Sequence, residues 1–459
     1  MQQDPFGPSS PIEAHEEPIV VREARTQSDR DAVYHLTARV FSDVPGVPAP
    51  TEPEALAAAT ARWTRRIESV RAVYPVHIRM AVVAGSGKDD IVGSYVLYER
   101  VLRLGTHGEA RLRTACIGVV LAHPDRRRAG IGRTLMRDAV RFARERTFDL
   151  LLLAGIPDFY HRFGYADVME GADLGIDLAH LTDVPVDDSG VRVRPADDKD
   201  SAALLTLYER HYGAHAGGFA RDLGEQELLA SPGEHGPEYL LACDAAGEPC
   251  GYVRLRPTDR TRAVEAGANT WAAALALLRY QARFAEHREA AEEAAPRLRW
   301  RVPPDRHTGY LLAEHLPLTS EMRSRPRAGW LARPAHLPAL FHTLAPALAA
   351  RWERSGHTWT GTLTIQVEAD EPTDQPGSAC TIGLSPGKCE ITAGALPHAS
   401  ATVRLKPAAF TQLIFGFRPL WWLAGQPGCV VPDQPSEARA AMETLFPHEP
   451  AWIAGSDSF

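Results

Sequence analysis

The run HPDRRRAGIGRTLM, from His123 to Met136, sets three arginines beside two glycines. Arg127, Gly130 and Gly132 stand at R-x-x-G-x-G spacing. Glycine at such positions permits positive φ and close approach of a ligand to the backbone. N–H groups converging at the first turn of a helix, with the helix dipole behind them, favour an anion. Arginine adds charge-assisted, fork-shaped hydrogen bonds to phosphate. The chemistry these residues suit is the holding of a pyrophosphate. A dinucleotide loop needs the order G-x-G-x-x-G and a nucleoside-triphosphate loop needs G-K-[ST]; the run has neither.

Flanking elements must position this loop. The strand CIGVVLA runs into Pro124, which cannot donate a ladder bond, so pairing ends there. After the loop, Leu135, Val140 and Phe142 mark an amphipathic helix. Upstream, IVVREA predicts a short strand. SDRDAVYHLTARVF predicts a helix capped by Ser28, with Val33, Leu36 and Val40 on one face. Thr51 and Glu54 predict a second helix with a capping box. HIRMAVVAG and IVGSYVLYER predict a hairpin across the turn GSGKDD, and DLLLLAG a strand leading into IPDFYHRFGYADV.

From Val191 the pattern starts again. VRVRPADDKDSAALLTLYERHY repeats the strand, loop and helix of VVREARTQSDRDAVYHL, and EYLLACDAAGEPCGYVRLR repeats the hairpin. The copy has AVEAGANTWAAALALLRYQARF where the first half has its Arg/Gly run, so only the first copy is expected to do chemistry. A third region begins near RPAHLPALFHTL. Its WTGTLTIQVE alternates as a half-buried strand; CTIGL, KCEITAG and ATVRLK add strands, and PAAFTQLIFGF and SEARAAMETLF add helices. The expected organisation is a flexible tail over 1–18, an active domain over 19–188, a degenerate copy over 189–331 and an α+β domain over 332–459.

Composition bounds the function. Hydrophobic residues at 44% and charged residues at 24% describe a soluble globular chain. The excess of 58 Asp+Glu over 50 Lys+Arg, a net charge of −8, argues against nucleic acid as a partner. The six cysteines form no C-x-x-C pair, and His35, His77, His123 and His161 lack ligand spacing, so reduced thiols and no metal are expected. No apolar run reaches the ~18 residues of a membrane span, and the first 18 residues lack a signal-peptide core. A cytoplasmic protein is the expectation. Trp421 and Trp422 either line a lipid tunnel or, as favoured here, pack the last domain against its neighbour.

VVLAHPDRRRAGIGRTLM resembles the acetyl-CoA-binding motif of the GCN5-related N-acetyltransferases (GNAT). The whole chain resembles the enhanced-intracellular-survival (Eis) acetyltransferases, through its three-part layout, FYHRFGY and the C-terminal LFPHEPAWIAGSDSF. The resemblance implies a mixed α+β/α/β fold of tandem acetyltransferase domains, each a mixed β-sheet with flanking helices, and a sterol-carrier-protein-like C-terminal domain. It implies acetyl-CoA as co-substrate, with the main-chain edge of Val119, Val120 and Ala122 along the pantetheine arm. Arg127, Arg128, Gly130, Ile131 and Gly132 would surround the pyrophosphate. Tyr160 corresponds to the family's general acid and Phe459, through its α-carboxylate, to the general base. Asp43 corresponds to an acid that grips a cationic amine, with Trp63 as a second substrate contact. Two departures, Val119 in place of a bulky aromatic and Ser458 in place of a carboxylate, imply a reshaped amine pocket. The implied substrates are aminoglycoside-like amines, polyamines or lysine-bearing peptides, and the implied assembly is a homo-hexamer. The rival reading is an acyl-CoA or lipid carrier whose acetyltransferase part is vestigial.

Overall fold

A computed structural model describes residues 19–42, 48–84, 90–105, 108–185, 189–231, 238–285, 297–303, 305–323, 327–369 and 376–457. The N-terminal tail, most of the GSGKDD turn, Asp43, Ser458 and Phe459 lie outside the described residues.

The first half runs β1 (Ile19–Glu23), α1 (Gln27–Val40), α2 (Pro53–Arg71), β2 (Val76–Val83), β3 (Ile91–Leu104), β4 (Ala110–Ala122), α3 (Ile131–Glu145), β5 (Leu150–Gly155), β6 (Ala166–Met169), β7 (Gly171–Asp177) and α4 (Leu178–Thr182). The second runs β8 (Arg192–Pro195), α5 (Ser201–Tyr212), α6 (Leu223–Ala230), β9 (Tyr239–Cys243), β10 (Pro249–Arg256), β11 (Asp259–Ala268), α7 (Trp271–Ala282), β12 (Arg297–Trp300), α8 (His307–His315), β13 (Thr319–Arg323) and β14 (Gly329–Pro334). Then follow α9 (Leu337–Ser355), β15 (Gly361–Val367), β16 (Ser378–Ser385), β17 (Lys388–Ala393), β18 (Ala401–Leu405), α10 (Pro407–Ile414), α11 (Leu420–Ala424) and α12 (Glu437–Leu445).

These form two large mixed sheets and a small third one, with strand orders β1-β2-β3-β4-β5-β14-β6, β13-β7-β12-β11-β10-β9-β8 and β17-β16-β15-β18. The two large sheets resemble tandem GNAT domains and repeat one scheme: four antiparallel strands, then a parallel partner reached through a helix. The duplication is interlocked. β7 precedes the boundary expected at 188 yet pairs with β12 and β13 of the second sheet. β14 ends at Pro334, across the boundary expected at 332, and lies between β5 and β6 of the first sheet. Each sheet therefore takes an interior strand from the other half of the chain.

Local capping differs from expectation in two places. Thr26, not Ser28, caps α1, in a capping box with Asp29. Glu52 precedes α2 with no side-chain cap; Pro53 opens that helix with a preset φ, and the Thr51–Glu54 box does not form. On one face of the first sheet, Met80, Val96, Tyr98, Cys116 and Leu152 share a core with α1, α2 and the C-terminal region, including Leu340, Phe341, Ile365 and Phe410. On the other face, Leu97, Ile117, Leu151 and Leu153 pack on Leu135, Met136, Ala139 and Val140 of α3. Trp421 and Trp422 do not pack as expected. They are 64% and 47% exposed, while Leu420 and Leu423 of the same short helix turn inward.

The strand exchange predicts that a chain ending at residue 188 cannot complete its own sheet. Lacking β14, it would leave one edge of β5 bare and β6 and β7 without partners, and unpaired edges aggregate. Size-exclusion chromatography should show aggregates; a monodisperse, folded 1–188 fragment would contradict the exchange.

Candidate active site

The site begins where two parallel strands part. β4 and β5 pair only from Thr114–Leu150 to Ile117–Leu153. Beyond Ile117, β4 keeps β3 on one side, while β5 continues against β14. The β5-facing edge of Gly118–Ala122 thus has no partner strand among the described residues. The β3 ladder shifts register between Ser94 and Val96, opposite Val119, which sits at φ 53°. A β-branched residue at positive φ is strained, and such bulges re-aim the backbone beside functional clefts. Val119, Val120 and Ala122, expected along a ligand arm, lie on this opened stretch.

The phosphate-suited run follows directly. Pro124–Arg126 form one 3-10 turn, Arg128 sits at φ 71° and Gly130 at φ 72°. A Cβ at Gly130 would meet open space, so the glycine serves backbone conformation rather than packing. No side chain caps α3, whose first-turn N–H groups are left for a ligand. Arg126 pairs with Asp90 at 3.3 Å. Arg127 and Arg128 are exposed and make no ion pair with the described residues. Beneath the loop, Ile131 presses on β3 so closely that a Cβ at Gly93 would lie 2.6 Å from its Cγ2. The helix is tied down by buried Asp138, which accepts from Arg79 through Nε and Nη2 (both 3.0 Å) and from the Tyr95 hydroxyl (2.9 Å).

The second half shows what a closed version looks like. β11 and β12 also pair over only two residues, Arg262–Arg299 and Ala263–Trp300, before diverging. There the opening is filled from within. The Ala268 N–H donates to Thr308 Oγ1 at 3.3 Å, His211 lies against Gly267, and Thr270 caps α7. The cradle of the first half has no counterpart.

Tyr160 opens a 3-10 turn, Tyr160–Phe163, after β5. Its ring lies over Gly155 at the end of that strand and packs edge-on against Phe159 at 4.9 Å. The hydroxyl has no hydrogen-bond partner among the described residues, and burial raises its pKa, so it stays protonated at neutral pH. Tyr165 is fully buried in the core beside it. Trp63, expected at the substrate, is instead 7% exposed within the core. Its indole N–H donates to the Phe41 carbonyl (3.4 Å), fixing the exit of α1 two residues before Asp43.

The end of the chain returns to the opposite face of the first sheet from α3. Ala451–Ala454 are buried, and the Trp452 N–H donates to Ala216 O at 2.7 Å. Asp457 is 2% exposed. Its Oδ1 accepts from Arg100 Nη2 and Arg221 Nε (both 3.1 Å), its Oδ2 from Arg221 Nη2 (3.0 Å) and the Tyr208 hydroxyl (3.3 Å). Burial acts to raise the Asp457 pKa, but Arg221 and Arg100 outweigh it and hold the carboxyl below its ordinary range. A cavity of about 510 Å³ adjoins Asp457, lined among others by Arg66, Tyr74, Tyr98, Arg100 and Glu225.

Sequence reading placed the loop, the strand edge and Tyr160 around one opening. It missed the charged group that receives Asp457. The one local signal was Arg100 in YVLYERVLRL, a cation on the same strand face as Tyr98 and Leu102.

Residues 21–168 match the family model of the acetyltransferase (GNAT) domain. Among solved structures, the chain is similar to a probable N-acyltransferase from Enterococcus faecalis (16% identity, 96% of this chain and 100% of that chain, TM-score 0.69). It is also similar to a GCN5-related N-acetyltransferase from Kribbella flavida (18% identity, 96% and 98%, TM-score 0.66). A third is Eis1 from Mycobacterium abscessus (16% identity, 96% and 100%, TM-score 0.61). At these identities the likeness is one of fold. No curated protein matches the sequence.

Arg127→Ala or Arg128→Ala should weaken coenzyme A binding in calorimetry by about 10- to 150-fold, the loss of one charge-assisted hydrogen bond of about 1.5–3 kcal/mol. Unchanged affinity in both variants would remove the loop from the cofactor site.

Proposed function

We propose that this chain, whose residues 21–168 match the acetyltransferase (GNAT) domain model, moves the acetyl group of acetyl-CoA to a primary amine of a cationic substrate. The observation that carries this reading is the opening between β4 and β5. A bare backbone edge, an uncapped helix and two arginines without ion-pair partners among the described residues meet there, with a protonated tyrosine over Gly155.

The residues present fit the co-substrate. Arg127, Arg128 and the backbone of Gly130, Ile131 and Gly132 would hold its pyrophosphate. The edge of Val119, Val120 and Ala122 would pair with the pantetheine amides as an added strand. Acetyl-CoA supplies a thioester, an acyl group activated toward a neutral amine. Tyr160, a neutral phenol at pH 7, donates its hydroxyl proton to the departing sulfur. The α-carboxylate of Phe459 takes the proton from the amine; a tail buried through Asp457 supports its delivery to this region.

In the cavity beside Asp457, Glu225 faces Arg100 at 3.0 Å and Glu238 faces Arg254 at 2.9 Å. The grip on a substrate cation is assigned to Asp43, with Trp63 beside it, on the resemblance alone. Polyamines, aminoglycoside-like amines and lysine-bearing peptides are the substrate classes of this reading. A homo-hexamer, a cytoplasmic location and a sterol-carrier-protein-like C-terminal region rest on the resemblance alone. A second cavity of about 290 Å³, between α9 and the third sheet and lined by Phe341, Cys380 and Ile391, favours the rival carrier reading.

Tyr160→Phe should lower kcat by about 10²–10⁴-fold while leaving the KM for acetyl-CoA within a few-fold. Deleting Phe459 should likewise lower kcat with coenzyme A affinity preserved. A carrier predicts that neither change touches function, and full activity in both variants would overturn the mechanism.

A further inference from the structure

We propose that the second half of the chain, which has no phosphate cradle, serves the reaction by gripping the chain's end. Arg221 and Arg100 hold Asp457 and thereby position the α-carboxylate of Phe459, two residues on. The inference rests on the reading of Phe459 as the base.

The geometry separates this group from an ordinary buried ion pair. Arg221 faces Asp457 side-on through Nε and Nη2, and faces Glu265 through Nη1 (3.1 Å) and Nη2 (2.5 Å). Nη1 also donates to Gln226 Oε1 (3.2 Å), and the Tyr252 hydroxyl donates to Glu265 Oε1 (2.8 Å). The guanidinium therefore bridges two carboxylates, with the Tyr208 ring 3.6 Å beneath it. Arg100 comes from β3 of the first sheet, and Arg221 and Tyr208 from the second half, so Asp457 joins both.

Asp457 is not needed to neutralise the arginines. Without it, Arg221 would retain Glu265 and Arg100 would retain Glu225, one carboxylate to each cation. The third carboxylate enters as the group being held. Buried, bidentate and charge-assisted contacts fix such a group in position as well as in energy. Two residues of chain span at most about 7 Å, so holding Asp457 tethers the α-carboxylate of Phe459 within that reach. A terminus without such an anchor would fray. Arg221 and Arg100 are positioning residues, since they touch the tail and not the reacting atoms.

The test uses the full chain. Asp457→Asn keeps the shape and removes the charge. It should lower kcat about a hundredfold, the scale of misplacing a catalytic group by an ångström, while the KM for acetyl-CoA stays within twofold. Carboxypeptidase should release Phe459 at least about tenfold faster from this variant, as expected for a terminus that has lost its anchor. In a chain already lacking Phe459, adding Asp457→Asn should lower kcat no further, whereas a merely structural role would lower it again. If the Asn variant does not accumulate as folded protein, Asp457→Glu keeps the charge for the buried arginines and shifts the tail by one methylene. It should show the same split between kcat and KM at smaller size. Unchanged carboxypeptidase release overturns the grip, whatever Phe459 does. Faster release together with full activity after deletion of Phe459 overturns the reading of Phe459 as base and leaves the grip standing.

Discussion

A strand that loses its neighbour inside a sheet must satisfy its backbone groups some other way. In this chain β4 loses β5 after Ile117, and the Arg/Gly loop, the uncapped start of α3 and Tyr160 lie next to that loss. The bulge at Val119 turns the backbone, Pro124 ends the strand, and Gly130 in a left-handed conformation starts a helix that no side chain caps. An extended ligand with amides and phosphates answers each of these vacancies in turn. The second half makes the same divergence between β11 and β12 and closes it with its own residues, Thr308, His211 and Thr270. One opening needs a ligand; the other already has its partners.

The two halves are nevertheless not independent. Each sheet takes a strand, β7 or β14, from the other half of the chain, so the two halves cannot separate without leaving bare edges. The C-terminal region shares a core with the face of the first sheet opposite α3. That arrangement places Ala451–Asp457 on the face of the first sheet that α3 does not cover.

What could be read from the sequence was local. R-x-x-G-x-G, the proline before it and the helical spacing after it lie within a few residues of one another, and all three stand where expected. Tyr160 was legible through FYHRFGY. Cap positions slipped by one or two residues, from Ser28 to Thr26 and from Thr51 to Glu52, because neighbouring polar residues compete for one role. Trp63 packs in the core of the first sheet, since an aromatic on a helix serves core and pocket alike and its spacing does not separate the two. The exchange of β7 and β14 was not legible, since strand partners carry no local mark. Neither was the contact of Arg100 with Asp457, whose partners stand 357 residues apart in sequence.

The central claim is that the first-half cleft carries out acetyl transfer to an amine. It is tested most directly by mixing the full chain with acetyl-CoA and a panel of spermidine-like, tobramycin-like and lysine-peptide amines while following free thiol. The account predicts thiol release that requires both enzyme and a primary amine, with acetylated amine formed in equal amount. Tight binding of acetyl-CoA with no amine-dependent thiol release across the panel would contradict it.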